Sequence, residues 1–393
     1  MNAIYLDNAA STRVSDEVLA LLTEVMRTAW GNPSAQHPQG AAARGHLDTA
    51  RTRLLAALGD APGLPRRGSA AAGQRGVDDK GAGDVVWTSG CSEANALAVL
   101  AAARTHAGAI VLSTLEHPAV ATLADRLAAE GREVRRVAPG RDGVIDADEL
   151  ARVAAGAGVV SLIAVQNELG TVQPIAALIA AIRTVAPDAH VHIDAAQALG
   201  KIPLDVGCGA DSISIAGHKL HAPKGVGALW LRSTARIEPL WVGGGQQRGL
   251  RGGTQDAPSA AGLGLAAERA VAQMPAQRTR WLELASALTT TLEQRGATVR
   301  QLVPDHRRAP HILALAVPNT PASALRNVLA SRGVYASTGS ACADAGAKAS
   351  PILAAIGLPE SDGMVRFSFA HDTTLDDVTR AATILAEAIK SLS

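Results

Sequence analysis

The chain has 393 residues, 47% of them apolar, and 37 basic against 36 acidic side chains give a formal net charge of +1. That length predicts two or three domains, or one large domain with a satellite, and the apolar share builds a core without help from disulfides or metals. The balanced charge excludes the basic footprint that nucleic-acid binding needs, and no apolar run reaches the roughly 18 residues that span a bilayer.

The start, Met1 to Asp7, lacks the charged-then-apolar plan of a signal peptide, so a cytoplasmic location is expected. Three cysteines occur, Cys91, Cys208 and Cys342, widely separated and with no Cys-x-x-Cys spacing. That pattern argues against a disulfide framework, a zinc site or a redox pair. The dominance of alanine and the 2% aromatic content read as compositional bias, not as a functional signal.

Residues 16–29 place Val18, Leu21, Leu22, Val25 and Met26 at helical spacing. Residues 59–83, rich in Gly, Ala, Pro and charge without an apolar period, read as a flexible surface insertion. Strands and helices then alternate. Strand-like 84–87 precedes a helix over 92–105 with Ser92 as its N-cap; strand 109–113 precedes a helix opened by Pro118. Strand 133–137, helix 146–155, strand 159–165, helix 175–185 and strand 190–193 follow, then strands 213–215 and 228–231. Strands buried on both faces and separated by helices predict a mostly parallel sheet between helical layers. After residue 255 the pattern changes to helices 257–271 and 279–295, strands 298–303 and 312–317, helix 322–332, strand 364–370 and a final amphipathic helix 374–392, a smaller α+β unit.

Six places carry residues suited to chemistry. Lys219, in Gly217-His218-Lys219, follows an apolar strand end and precedes a Pro/Gly-rich loop. A lysine held there becomes a nucleophile toward an aldehyde once burial or neighbours depress its pKa, although snorkelling to water is as common. Asp194 closes the strand at 190–193, where a carboxylate points into the crevice at the carboxyl edge of a parallel sheet; a lone Asp there is more often a helix N-cap. The junction Thr88 to Glu93, with Cys91 and Ser92, offers free amides to a phosphate, a weak signal by itself. His117 also ends a strand, placed for proton transfer or stacking but equally for a structural role. Cys342 sits among small residues at 337–347, which reads as a mobile loop presenting a thiolate, against an incidental exposed thiol. Arg366, a lone charge in a strand, suits a bidentate carboxylate ligand or a structural ion pair.

Together these residues resemble the NifS/IscS-like cysteine desulfurases of the class V aminotransferase family. Segments in the family's order and spacing run from Tyr5 to Thr12, through Gly31 to Ser34, Thr88 to Gly90, Glu116-His117, Gln166 to Gly170, His192 to Gln197, Gly217 to Lys219 and Gly249 to Thr254, to Arg366 to Phe369. The segment Gly339 to Cys342 resembles the active loop of the desulfurases. The resemblance implies the α/β architecture of fold type I pyridoxal-phosphate transferases, with a mostly parallel seven-stranded sheet in a large domain at 14–255 and a small α+β domain at 1–13 and 256–393 that carries the Cys342 loop.

It also implies roles. Lys219 is expected to hold pyridoxal 5'-phosphate covalently, with Asp194 paired to the ring nitrogen, His117 stacked on the ring and Gln197 on its phenolic oxygen, near Asn167. Cys91, Ser92 and His218 are expected to cradle the phosphate, and Thr254 to reach that of the neighbouring subunit of a homodimer. Arg366, helped by Asn32 and Asn167, is expected to bind the substrate carboxylate. The implied reaction converts L-cysteine to L-alanine and leaves a persulfide on Cys342 for a protein acceptor, in iron–sulfur cluster assembly, tRNA thiolation, cofactor synthesis or DNA phosphorothioation. No metal, membrane or direct nucleic-acid partner is implied.

The chain departs from the family pattern where Ala216 replaces a usual phosphate-binding serine, where Cys91-Ser92 replaces an Ala-Thr pair, and in the insertion at 59–83. The alternatives are a selenocysteine lyase, another class V lyase or aminotransferase, and a weakly active sulfur-transfer platform. Cys342 argues against a simple aminotransferase, and the intact Lys219, Asp194, His117 and Cys342 argue against the platform.

Overall fold

The apolar runs form strands because β-branched and aliphatic residues pack well on pleated, doubly covered surfaces. The computed structural model describes residues 3–60, 83–240, 243–339 and 350–392. In chain order the first part comprises β1 (Ile4–Tyr5), α1 (Asp16–Thr28), α2 (Pro38–Ala57), β2 (Asp84–Thr88), α3 (Cys91–Thr105), β3 (Ala109–Ser113), α4 (Pro118–Ala129), β4 (Val134–Val137), α5 (Ala147–Ala154), β5 (Ala157–Ile163), α6 (Ile175–Val185), β6 (His190–Asp194), β7 (Ser212–Ala216) and β8 (Gly227–Leu231). The remainder comprises α7 (Ala257–Gln294), β9 (Arg300–Gln301), β10 (Ile312–Val317), α8 (Ala322–Ser331), β11 (Val334–Tyr335), α9 (Pro351–Ala355), β12 (Gly363–Ser368) and α10 (Leu375–Leu392).

The large sheet has seven strands in the order β2-β8-β7-β6-β5-β3-β4. It is parallel except for β8, which runs antiparallel to both β2 and β7. Strands β3, β5, β6, β7 and β8 are buried along their whole length, and the carboxyl ends of the parallel strands β3, β5, β6 and β7 supply one edge of the sheet, where the amino end of β8 also lies. The second sheet, β12-β10-β9, is antiparallel and has its own core, built on Leu313, Phe367, Leu288 and Leu385. The N-terminal segment joins the two: β1 pairs with β11, Asp7 bridges to Ser368, and Ala9 packs into the large core.

Three expectations need correction. Helix α3 begins at Cys91 with Gly90 as N-cap, so Ser92 lies inside the first turn and its hydroxyl is not spent on capping. The helices expected at 257–271 and 279–295 are one 38-residue helix that continues through Pro275. Proline removes one backbone hydrogen bond, but this helix packs against α1 and α2 along its first half and against α10 along its second, which holds both halves in line. Helix α2 was not expected at all. Its buried residues, Gly40, Ala43, Leu47, Ala50, Leu54 and Ala57, are mostly too small to stand out as an apolar stripe. They allow close approach instead: a Cβ on Gly264 of α7 would lie 2.7 Å from the Ala50 Cα.

Most of the expected insertion at 59–83, namely 61–82, lies outside the described residues, as does Cys342. The two ends of the insertion meet on Asp60, whose carboxylate accepts from Gly83 N and from Trp230 Nε1, each at 2.7 Å. No described helix is long and apolar enough to cross a membrane.

Candidate active site

Lys219 sits one turn beyond the end of β7, in a 3-10 turn over Gly217–Lys219. Its Nζ donates to the carbonyls of Ala9 and Ala10 at 2.5 and 2.6 Å. Burial, with Arg366 adding to it, lowers its pKa to about 8, against the opposing pull of Asp7 and Asp194. About a tenth of the amine is therefore unprotonated at pH 7, far more than for an ordinary lysine, and the neutral form is what attacks an aldehyde.

Asp194 closes β6, beside Ser214 of β7, and is buried. Its Oδ2 accepts from Asn95 Nδ2 at 2.7 Å, and its Oδ1 accepts from Ala196 N at 2.9 Å. The Cys91 sulfur lies 3.7 Å from the same Oδ1 and 3.3 Å from Ser214 Oγ. Burial first, and then the Asp194 charge, push the Cys91 thiol well above its ordinary pKa, so this cysteine is a neutral thiol rather than a nucleophile. The Lys219, Asp194 and Cys91 positions thus converge at the carboxyl edge of β6 and β7.

The start of α3 lies alongside. Among the described residues no side chain caps it, so its first amides are available to a ligand. The backbone of β8 comes very close: a Cβ on Gly227 would sit 2.6 Å from the Gly90 carbonyl carbon, which only glycine tolerates. The following loop is tied to the same place. Glu93 accepts from Ser89 N at 2.6 Å and from Arg251 Nε at 2.9 Å, and Gln247 Nε2 donates to the Trp87 carbonyl at 2.9 Å. Thr254 stands exposed at the end of this loop. His218 Nδ1 lies 3.3 Å from Ser11 Oγ, and burial with nearby Lys219 lowers its pKa to about 4, leaving a neutral ring.

His117 caps α4 by accepting from Ala119 N on Nδ1 at 3.1 Å. His117 is exposed, yet enough protein surrounds it to lower its pKa; Asp194 opposes that shift and Lys219 adds to it. Its neighbour Glu116 is structural. The Glu116 Oε1 accepts from Ser113 Oγ at 2.7 Å and Ile163 N at 2.8 Å, tying the ends of β3 and β5, and burial raises its pKa to about 8.

Gln197 donates to the Ala9 carbonyl at 2.7 Å and accepts on Oε1 from Lys201 Nζ at 3.0 Å. Lys201 and Lys219 line one side of a cavity of about 300 Å³ that also includes Asn8, His311 and Trp281. Asp194 and His117 do not line it, so it opens behind the lysine rather than over the carboxylate.

Arg366, on β12, is buried and reaches across from the small sheet. It pairs with Asp7 Oδ1 at 2.5 Å and donates to the Asn167 carbonyl at 2.6 Å, while its Nε has no partner among the described residues. The ion pair weighed from the sequence is present, and one buried donor is left over. Asn32 lies in an exposed turn, where its Oδ1 accepts from Ser34 N at 2.9 Å. No described contact joins it to Arg366.

The residues present fit pyridoxal phosphate. An aldehyde would find a half-buried amine in Lys219, a ring nitrogen would find a carboxylate in Asp194, and a phosphate would find free amides in the glycine-walled cradle at the start of α3. Sequence reasoning passed over Asp7, Asn95, His192 and Lys201. The signals were present: Asn95 lies four residues after Cys91 on the same helix, and His192 alternates with Asp194 on one face of β6.

Comparison with known proteins agrees with this geometry. Residues 78–381 match the family Aminotransferase class-V. The chain is 34% identical over 399 residues to a cysteine desulfurase of Gluconacetobacter diazotrophicus, covering 100% of this chain and 94% of that protein. Among solved structures, a NifS-like protein superposes with a TM-score of 0.87 at 29% identity, covering 99% of this chain and 100% of the other. A structure of SspA in complex with cysteine gives 0.75 at 28% identity, covering 93% of this chain and 98% of the other. On the strength of this full-length likeness, the chain belongs to the class-V aminotransferase family.

Proposed function

We infer that the protein is a pyridoxal-phosphate-dependent cysteine desulfurase that turns L-cysteine into L-alanine and passes the sulfur on through Cys342. The observation that carries this reading is the meeting of a pKa-lowered lysine, a buried strand-end carboxylate and an uncapped helix start at one sheet edge, in a chain that resembles desulfurases over its whole length.

Pyridoxal phosphate, held by Lys219 and bound by Asp194, His117, Gln197, Asn167, His218, Cys91 and Ser92, supplies an electron sink for the substrate carbons. The protein's own groups do the rest. Arg366 fixes the substrate carboxylate through its spare Nε, while Asp7 and the Asn167 carbonyl hold the guanidinium plane. Lys219, once released, moves the α-proton, since its pKa of about 8 lets it both accept and donate near neutral pH. His117, kept largely neutral, stacks and accepts a proton from the substrate thiol. The Cys342 thiolate attacks the substrate sulfur; the carbon–sulfur bond breaks as the sulfur–sulfur bond forms, and the substrate β-carbon takes a proton to become the alanine methyl.

The unit at 1–13 with 256–393 has a core of its own around Phe367, Leu288 and Leu385, while the core of the unit at 14–255 also takes in Ala9, the first half of α7 and one face of β10. A cytoplasmic homodimer, in which Thr254 reaches the neighbouring phosphate, suits the exposure of Thr254 at the end of its anchored loop. Asn32 belongs to the substrate site only if its turn moves toward Arg366. The acceptor is a protein that takes a persulfide sulfur.

The variant Cys342→Ala tests the sulfur-carrying role. It is expected to keep the yellow cofactor absorbance and to release no sulfide from L-cysteine under reducing conditions. Undiminished release would refute the role of Cys342.

A further inference from the structure

Strands β6 and β7 carry polar side chains in the interior of the large sheet. His190, His192 and Asp194 alternate along β6 and share one face, as Ser212 and Ser214 do along β7. All are buried, and the register sets His192 opposite Ser212 and Asp194 opposite Ser214. A chain of hydrogen bonds runs back from the carboxylate. Asn95 Nδ2 lies 2.7 Å from Asp194 Oδ2, Asn95 Oδ1 lies 2.9 Å from His192 Nε2, and Ser212 Oγ lies 2.8 Å from both His192 Nδ1 and His190 Nε2.

With Asp194 as a carboxylate, one arrangement of protons satisfies every link. The carboxylate only accepts, so Asn95 must turn its NH2 toward Asp194 and its carbonyl away. That carbonyl also only accepts, so His192 must carry its proton on Nε2. Burial lowers the pKa of His192 to about 3, so the ring is neutral and Nδ1 is bare. Ser212 must then donate to Nδ1 and accept from His190 Nε2; His190 is also neutral, its pKa lowered to about 4 by burial. Each bond in the series points its positive end toward Asp194. The amide of Asn95 interrupts proton transfer, so the series acts through fixed dipoles rather than as a proton wire.

We propose that Asn95 and His192 are positioning residues for the pyridine-binding carboxylate: the series His190–Ser212–His192–Asn95 holds Asp194 Oδ2 in place and polarises it, while Ala196 N and the Cys91 thiol hold Oδ1. Preorganised dipoles of this kind act without reorganising at the moment of reaction, and outer hydrogen-bond partners tune the group they support. This deepens the proposed function and rests on Asp194 facing the cofactor ring nitrogen.

The test uses apoprotein loaded with pyridoxal phosphate and reads two quantities, the cofactor dissociation constant and the absorption maximum of the bound form. Asn95→Leu and His192→Phe are expected to weaken binding by about tenfold or more, the cost of a lost hydrogen bond to a charged group, and to move the maximum to shorter wavelength. His192→Gln, whose amide can still donate to Asn95, is expected to recover most of both. Ser212→Ala is expected to shift both in the same direction by a smaller amount, about threefold in affinity. Wild-type affinity and an unmoved maximum in Asn95→Leu and His192→Phe would overturn the proposal. So would a His192→Gln variant as impaired as His192→Phe, since that is the mark of packing alone. If the larger substitutions do not fold, Ser212→Ala decides, and unchanged values there would also overturn it. A wild-type protein that takes up no pyridoxal phosphate would bring down the proposed function, and this inference with it.

Discussion

The turns after β7 and β6 each carry a lysine, half-buried Lys219 and buried Lys201, and the two differ in what they face. Lys219 donates to the carbonyls of Ala9 and Ala10, and its pKa is lowered to about 8. Lys201 donates to Gln197 Oε1, and burial together with the charge of Lys219 lowers its pKa to about 7. Ranked by pKa alone, Lys201 would be the nucleophile. Geometry reverses that order, because Lys219 stands at the strand end in the field of Arg366, Asp7 and Asp194, whereas Lys201 donates to Gln197. A pKa near neutrality therefore marks burial as readily as chemistry, and only the facing groups separate the two.

Replacing each lysine in turn tests this comparison most severely. Lys219→Ala is expected to lose covalent cofactor and to lower turnover by at least about a thousandfold, the scale of a lost proton-transfer group. Lys201→Met is expected to keep the reducible cofactor linkage and to lose less than about tenfold in turnover, the scale of one hydrogen bond in the Gln197 support. A reducible linkage surviving in Lys219→Ala and absent from Lys201→Met would reverse the assignment.

A smaller effect is expected at Arg366. Arg366→Gln should raise the KM for L-cysteine by roughly 10- to 100-fold, since a charge-assisted pair to the substrate carboxylate is lost. The absorbance of the bound cofactor should stay as it is. A KM that does not move would leave Arg366 as a purely structural partner of Asp7.

The smallest expected effect is on the pH dependence of apoprotein stability. A lysine whose folded pKa is lowered to about 7 from 10.5 binds fewer protons folded than unfolded between those values. Stability therefore rises with pH across that window, and Lys219 adds the same sign from about 8 upward. Glu116 acts oppositely between 4.5 and about 8, because its folded pKa is raised. Urea midpoints of the apoprotein from pH 8 to 10 should rise in the wild type and rise less in Lys201→Met. Equal slopes would mean that Lys201 reaches water.

Much of this was legible in the sequence, for definable reasons. Strands β3 and β10 and helix α6 match their expected bounds because uninterrupted apolar runs and flanking breakers leave little choice. Lys219, Asp194 and His117 stood out because each closes or follows a strand, and chain order brings strand ends together at one edge of a parallel sheet. Helix α2 escaped notice because alanine and glycine pack tightly without looking hydrophobic. The helices expected at 257–271 and 279–295 are continuous because tertiary packing on both sides carries α7 through Pro275. Ser212 was invisible for a different reason: its role comes from hydrogen bonds to two histidines about twenty residues away on another strand, which spacing within one element does not report.

The most direct test of sulfur passing from L-cysteine to Cys342 is a single turnover with stoichiometric holoprotein and no reductant, assaying alanine and Cys342-bound sulfur in the same sample. The account predicts the two in equal amounts. Alanine without sulfur on Cys342, or pyruvate in place of alanine, would contradict it.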